Sequence, residues 1–311
     1  MPSVLLYLIV IMVWGSTWLA ITFQLGAVDP LVSVMYRFSL ASLILLVHCM
    51  VVRRPMRFSL RDHAWMAVQG LLLFTVGYWM VYVAESHIAS GLVAVVASSL
   101  IFMNIFLSAM LLKSRISLAV VFGASLGFSG IVLIFWPEVT EISLQDRGMY
   151  GLFLSFAATM IFSLGNITSA RNQKHGLPVL QTNAWSMGYA ALIMLFIAIG
   201  AGRSFGFECT FRYIASLVYL AVFGSVIAFG AYLTLIGRIG ADRAAYGPLV
   251  APVIALTLSS LFEGYAWHGF SIVGIALILT GNLLVLRVKE PLKGQPRSFP
   301  GSSKEGEGEL R

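Results

Sequence analysis

The sequence predicts an all-α membrane protein, with ten transmembrane helices arranged as two inverted five-helix repeats. Three observations carry that prediction. Apolar residues make up 59% of the 311 residues and charged residues 11%, against roughly 25% charged in an average soluble domain. Mean hydropathy is +0.90, and a soluble fold of this length has no interior large enough to hide so much apolar surface. Uncharged stretches of membrane-spanning length recur along the whole chain, and its two halves match at an offset near 150 residues. Disorder, a collagen repeat and a disulfide scaffold each need a different compositional excess.

A helix needs about 20 apolar residues to cross about 30 Å of hydrocarbon. Span one, 3–24, is uncharged throughout; it has no Lys or Arg before its apolar run and is too long for a signal-peptide core, so it is read as an uncleaved helix. Span two, 31–52, follows Asp29-Pro30 and contains one charge, Arg37. Span three, 64–84, stops at Glu85, and span four, 88–112, at Lys113. Span five, 118–136, carries glycines at 123, 127 and 130. Span six, 149–170, lies between Arg147 and Arg171, and span seven, 178–201, between Lys174 and Arg203. Span eight, 213–237, is bounded by Arg212 and Arg238, span nine, 243–262, precedes Glu263, and span ten, 267–286, ends at Arg287. None of these runs alternates apolar with polar residues, which excludes a membrane β-barrel pattern.

Charge sets the expected orientation. With the N-terminus in the cytoplasm, the inner loops carry Arg53, Arg54, Arg57, Arg61, Lys113, Arg115, Arg171, Lys174, Arg238, Arg243, Arg287 and Lys289, and the outer loops only Arg147, Arg203 and Arg212. That is the positive-inside bias, and an even span number returns the C-terminus to the cytoplasm. The net charge of +7 then reflects topology and membrane-lipid headgroups, with no nucleic-acid footprint. Cys49 and Cys209 fall at opposite membrane faces, too far apart to bridge. No residue spacing suggests a metal site or a cofactor, no P-loop is present to take ATP, and no Ser–His–acid combination has a supporting enzyme motif. The tail, 290–311, is Gly-, Ser-, Pro- and charge-rich and is expected to be disordered and cytoplasmic.

At the offset near 150, Tyr82 falls on Tyr232, and Ser90-Gly91-Leu92-Val93-Ala94 on Gly240-Ala241-Asp242-Arg243-Ala244. Gly123, Gly127 and Gly130 match a pattern at Gly274 and Gly281, and at offset 148 Pro30 falls on Pro178. Five spans per repeat is odd, so the second repeat, 149–288, enters the membrane inverted relative to the first, 3–136. The chain resembles the ten-helix EamA branch of the drug/metabolite transporter superfamily. The resemblance rests on Trp14-Gly15-Ser16-Thr17-Trp18, Tyr36-Arg37-Phe38, Ala94 to Leu112, Ala241 to Gly264, and Gly274-Ile275-Ala276-Leu277-Ile278-Leu279-Thr280-Gly281. It implies a carrier of small organic metabolites, most often an exporter, with amino acids or their derivatives as the leading class. Such families typically place an acid where spans four and nine end; Glu263 matches, but Lys113-Ser114-Arg115 holds no acid.

Candidate substrate-binding residues follow from depth and chemistry. Arg37 lies about 10 Å along its helix from Pro30, and burying it costs about 2.5–3.5 kcal/mol on the insertion scale. It either snorkels to water, clamps to carbonyls or Glu85, or meets an anionic group of the substrate. Gly247-Pro248 and Pro252 interrupt span nine, and Ser98-Ser99 and Asn104 lie at similar depth in span four. Freed backbone of this kind survives in a membrane only beside protein or a water-filled cavity. Trp14, Thr17 and Trp18 on span one, Tyr78, Trp79 and Tyr82 on span three, Asn166 on span six, Tyr232 on span eight and Tyr246 on span nine complete the expected pocket. Aromatic rings with polar tips suit small amphiphilic solutes. Glu85 and Glu263, at outer span ends, are the candidates for proton coupling. Gly123-x-x-x-Gly127 suits either a homodimer face or packing within a monomer. The expected activity is therefore alternating-access export of a small-molecule metabolite across a bacterial inner membrane. Proton-coupled efflux of amphipathic drugs, and a non-transporting receptor or assembly protein with a dry, packed core, are the alternatives.

Overall fold

The computed structural model describes residues 2–112, 118–136, 147–240, 244 and 251–287. The described residues are helical with short connections and include no strand. In chain order the helices are α1 (Ser3–Thr22), α2 (Pro30–Val51), α3 (Leu60–Glu85), α4 (two pieces, Ser90–Ala97 and Leu100–Leu112), α5 (Leu118–Ile134), α6 (Arg147–Lys174), α7 (Val179–Gly200), α8 (Phe211–Ile239), α9 (Ala251–Phe262) and α10 (Gly269–Arg287). Seven are long and apolar enough to cross a membrane, namely α1, α2, α3, α4, α6, α7 and α8. Shorter apolar helices, Val121–Ile134, Ala251–Phe262 and Gly269–Leu284, fall in predicted spans five, nine and ten. Tyr246 and Pro248, and the tail at 290–311, lie outside the described residues.

Local chemistry sets the helix starts. The Asp29 carboxylate accepts from the Leu31 amide at 2.9 Å with Pro30 in the first turn, a cap that opens α2. Ser59 and Asp62 form a reciprocal capping box, which begins α3 at Leu60, four residues before the apolar run at 64. Thr210 Oγ1 accepts from the Tyr213 amide at 3.3 Å and starts α8 ahead of the run at 213 for the same reason.

Two helices share one irregularity. α3 is π-helical over Gly70–Val76 and α8 over Leu220–Ile227, segments whose starts are 150 residues apart. A π turn inserts an extra residue and rotates everything beyond it. Here the residues just past each turn include a cavity aromatic, Tyr78 in one and Phe229 in the other.

The helices pack in matched pairs: α1 against α8 and α3 against α6; α1 against α9 and α6 against α4; α2 against α8 and α7 against α3. α2 packs on α7 and α5 on α10. The surface is inverted relative to a soluble protein. Leu43, Phe122, Phe153 and Phe196 are exposed, whereas Gln24, Arg37, Gln69, Asn172 and Asn183 are buried. Apolar groups outside and hydrogen-bonding groups inside is what a hydrocarbon solvent selects.

Candidate functional site

A cavity lies midway along the bundle, between α1, α3, α4, α6, α8 and the start of α9. Its walls bound about 710 Å3 out to the mouth, of which about 70 Å3 is open to the centre of a water molecule. That inner space is room for a handful of ordered waters, at about 10–15 Å3 each. The lining brings together Trp14, Thr17, Trp18, Tyr78, Ser98, Asn166 and Tyr232, all read from the sequence as pocket residues.

Each is held by its own helix and a neighbour. The Trp14 indole meets Tyr232 at 4.8 Å and Phe229 at 5.0 Å between ring centroids, and its Nε1–H points at the Gly224 carbonyl, 3.4 Å away. Asn166 Nδ2 donates to the Tyr232 hydroxyl at 3.1 Å, and Asn104 also reaches that hydroxyl. Asn104 is thus buried behind the wall and positions Tyr232. Ser98 and Ser99 sit where α4 is interrupted, their hydroxyls bonded back to the Val95 and Val96 carbonyls at 2.6 and 2.7 Å. The equivalent interruption expected at Gly247-Pro248 lies outside the described residues.

Other sequence-read residues stand elsewhere. Trp79 is 40% exposed and faces away from the cavity, because Tyr78, one residue and about 100° earlier, takes the wall position. Tyr82 is buried and donates its hydroxyl to Gln24 Oε1 at 2.8 Å. Arg37 is fully buried and makes no ion pair with Glu85. Its Nε donates to Ser225 Oγ at 3.0 Å, and its guanidinium carbon lies 4.4 Å from the Tyr78 ring centroid and 5.3 Å from that of Phe38. Snorkelling to water and the Glu85 clamp are both replaced by this Ser225 and aromatic cradle.

The two candidate coupling acids differ in surroundings. Both Glu85 carboxylate oxygens are buried with no hydrogen-bond partner. Glu263 instead caps a helix from a distance. Its Oε2 accepts from the Ser90 amide at 3.2 Å and the Ser90 hydroxyl at 2.7 Å, and it also takes the Ser259 hydroxyl. Ser259 Oγ in turn accepts from the Gly91 amide at 2.8 Å. The end of α9 thereby satisfies the orphan donors at the start of α4 and places a negative charge at its positive dipole end. Glu263→Ala is expected to cost about 1–2 kcal/mol of stability, read as a lowered thermal midpoint in detergent; an unchanged midpoint would show that the cap carries no energy.

At the opposite end of α3, three amides run across three helices. Asn172 Nδ2 on α6 donates to Gln69 Oε1 at 3.0 Å, and Gln69 Nε2 donates to Asn183 Oδ1 on α7 at 3.3 Å. Arg171 lies 4.0 Å over the Trp65 ring and donates to Asn172. This ladder sits about one to two helical turns beyond cavity residues Leu73 and Asn166.

Sequence reasoning missed Thr159, Phe162, Phe229 and the small wall residues Ala94, Ala97 and Ala251. Phe162 had a usable signal: it stands 148 residues after Trp14, the offset that relates Trp18 to Asn166. Alanines in an alanine-rich span carry no comparable mark.

Comparison with known proteins agrees with this architecture. An uncharacterized inner membrane transporter, YedA, of Escherichia coli (strain K12) is 28% identical over 291 residues, covering 93% of this chain and 92% of that protein. Probable amino-acid metabolite efflux pumps of Escherichia coli (strain K12) and Salmonella typhimurium (strain LT2) are each 25% identical, covering 93% and 91% of this chain and 97% and 95% of theirs. A solved crystal structure with 20% identity has a TM-score of 0.70 over 93% of this chain and 99% of that one, a likeness of fold alone. The sequence model of the EamA-like transporter family matches residues 1–136 and 149–287, and the chain belongs to that family.

Proposed function

We propose that this protein is a secondary-active carrier of the bacterial inner membrane that exports a small organic metabolite, such as an amino acid or a derivative, by alternating access. Its ten helices would cross the membrane as two inverted five-helix repeats, 3–136 and 149–288, with both termini cytoplasmic and the pocket of Trp14, Thr17, Trp18, Tyr78, Ser98, Asn166 and Tyr232 as the substrate site. The observation that carries this reading is the mid-bundle cavity walled by helices of both halves. The non-transporting alternative expects a dry, packed core in its place. The matched helix packing and the paired π turns of α3 and α8 support a repeat whose halves rock against each other. The two stretches matched by the family and the likeness to probable amino-acid metabolite efflux pumps support the substrate class. Among the described residues the cavity lining includes no carboxylate, which weighs against cationic drugs as the main cargo.

Counterflow in liposomes containing only this protein tests the reading. Saturable exchange of a labelled amino acid against its unlabelled pool is expected; no exchange of any small metabolite by folded protein would overturn it. Coupling falls to Glu85, because a buried ionisable side chain inside a membrane bundle is a common element of proton relays and Glu263 is occupied as a cap. An imposed proton gradient is expected to accelerate exchange in the parent and to have no effect in Glu85→Gln. Equal acceleration in both would remove Glu85 from the mechanism.

A further inference from the structure

A second hollow opens on the outside of the bundle, where α1 ends and α8 begins. Its walls bound about 740 Å3 out to the mouth, of which about 390 Å3 is open to the centre of a water molecule. The mid-bundle cavity offers about 70 Å3 by the same measure, so this groove is the roomier of the two. Small side chains, Ala20 from α1 and Ala215 and Ser216 from α8, leave the space, and Leu19, Phe23, Phe211 and Tyr219 complete its walls. It runs about 10 Å along α1, from Phe23 back to Ser16, and about 12 Å along α8, from Phe211 to Tyr219. Half of a hydrocarbon core is about 15 Å deep, so the groove covers most of the depth of one leaflet.

The groove is apolar along its length and charged at one place. Its hydroxyls are bonded inside the protein: Ser16 and Tyr219 share a hydrogen bond of 2.6 Å at the inner end, and Ser216 Oγ donates to the Tyr213 carbonyl at 2.8 Å. Such a wall suits a hydrocarbon chain better than a polar solute. The charge is Arg212, exposed in the first turn of α8, with its guanidinium carbon 4.1 Å from the Phe23 ring centroid. The helix dipole disfavours a cation at that position, and the first turn supplies no acid. The nearby Glu208 carboxylate accepts the Thr210 hydroxyl at 2.8 Å. The ion pair among the described residues joins Arg203 to Asp29 at 3.3 Å, so Arg203 is spent on an acid and Arg212 is not. Stacking on Phe23 holds the guanidinium plane and leaves its N–H edge for an anion.

We propose that this groove is a binding site for an anionic phospholipid, whose phosphate sits on Arg212 and whose acyl chain lies between α1 and α8 as far as the Ser16–Tyr219 bond. A cation at the membrane surface with an apolar trough running inward from it is complementary to an anionic headgroup carrying an apolar tail. Among the described residues the groove lining includes no carboxylate to receive an ammonium head, so a net-anionic lipid such as phosphatidylglycerol is preferred to a zwitterionic one such as phosphatidylcholine. The site is separate from the mid-bundle cavity and goes beyond the carrier reading, on which it does not depend.

The test strips the full chain of lipid in detergent and returns dioleoylphosphatidylglycerol or dioleoylphosphatidylcholine. Native mass spectrometry reads the lipid bound, and a phosphatidylglycerol with a diazirine on one acyl chain reads where it sits. The parent is expected to hold one phosphatidylglycerol about tenfold more tightly than phosphatidylcholine, with crosslinks in residues 16–23 and 211–219. Arg212→Gln should level the two lipids. Ala215→Trp leaves Arg212 in place but fills the groove, and should remove the crosslinks. Arg212 is exposed and Ala215 only partly buried, so both variants should keep the parent's thermal midpoint; if either fails to fold, the preference and crosslink pattern of the parent still decide. No preference for phosphatidylglycerol in the parent, a preference that survives both substitutions, or crosslinks confined to other helices overturns the proposal. Displacement of the lipid by an equal concentration of inorganic phosphate overturns it too, because the tail would then add nothing. A parent dimer that Ala215→Trp breaks into monomers would overturn it in favour of a second copy of this chain as the occupant. Transport enters none of these readouts, so the carrier reading stands or falls separately.

Discussion

Replacing Gly274 with leucine is expected to eliminate the folded protein, leaving aggregated material after extraction. A Cβ on Gly274 would sit 2.6 Å from the Gly130 carbonyl oxygen and 2.5 Å from Ile134 Cγ1. The contact is reciprocal: a Cβ on Gly130 would strike the Gly274 carbonyl, and one on Gly281 the Gly123 carbonyl. Backbone atoms have no rotamer to yield, so α5 and α10 must separate along their whole contact. Small residues that let two backbones approach are a main source of helix association where the solvent is as apolar as the side chains. Overpacking ordinarily costs about 1–3 kcal/mol, and repeated backbone clashes along one seam place this change at or above the upper end. Gly230→Leu on α8 is the control, because a Cβ there meets nothing within 4 Å. The measurement is the monodisperse fraction on size exclusion together with the thermal midpoint. The same experiment separates the two roles open to Gly123-x-x-x-Gly127. A dimer face would give a folded monomer in Gly274→Leu; equal behaviour of Gly274→Leu and Gly230→Leu would show that the seam carries little energy.

Filling the cavity is expected to stop transport and leave the fold intact. Ala97 lines the cavity at the end of the first piece of α4, next to the Ser98-Ser99 interruption, and is only partly buried. Ala97→Trp directs an indole into space that the protein itself leaves open, so little must move to accept it. Exchange in counterflow should fall at least tenfold, with the thermal midpoint unchanged or raised, since apolar surface is added to an apolar-walled void. Ala97→Ser, which adds a single oxygen, should retain most activity. Full exchange by a folded Ala97→Trp protein would place the solute path elsewhere in the bundle.

The pocket was legible in proportion to how strongly each residue departs from its background. Trp14, Thr17, Trp18, Tyr78, Asn166 and Tyr232 are polar or aromatic positions in aliphatic spans, and the cavity gathers all six. Trp79 carries the same mark and faces outward, because which of two neighbouring aromatics points inward depends on helix phase. A π turn one residue upstream of Gly77 shifts that phase, and no composition or spacing rule reports it. Ala94, Ala97 and Ala251 were invisible for the opposite reason: an alanine lines a cavity through what neighbouring side chains leave empty.

Taken alone, the sequence determined the class of solvent this protein lives in and, among the described residues, the positions of its helices. Each depends on transfer free energies and local caps that act along the chain. Tertiary structure alone decided that Glu263 caps α4 while Glu85 is left without a partner, that Arg37 stacks on Tyr78 and bonds Ser225, not Glu85, and that the spaced glycines join α5 to α10. Those outcomes depend on pairs of residues as far as 188 positions apart. The geometry that brings such pairs together is set by how whole helices pack, and side-chain order along one helix does not encode it.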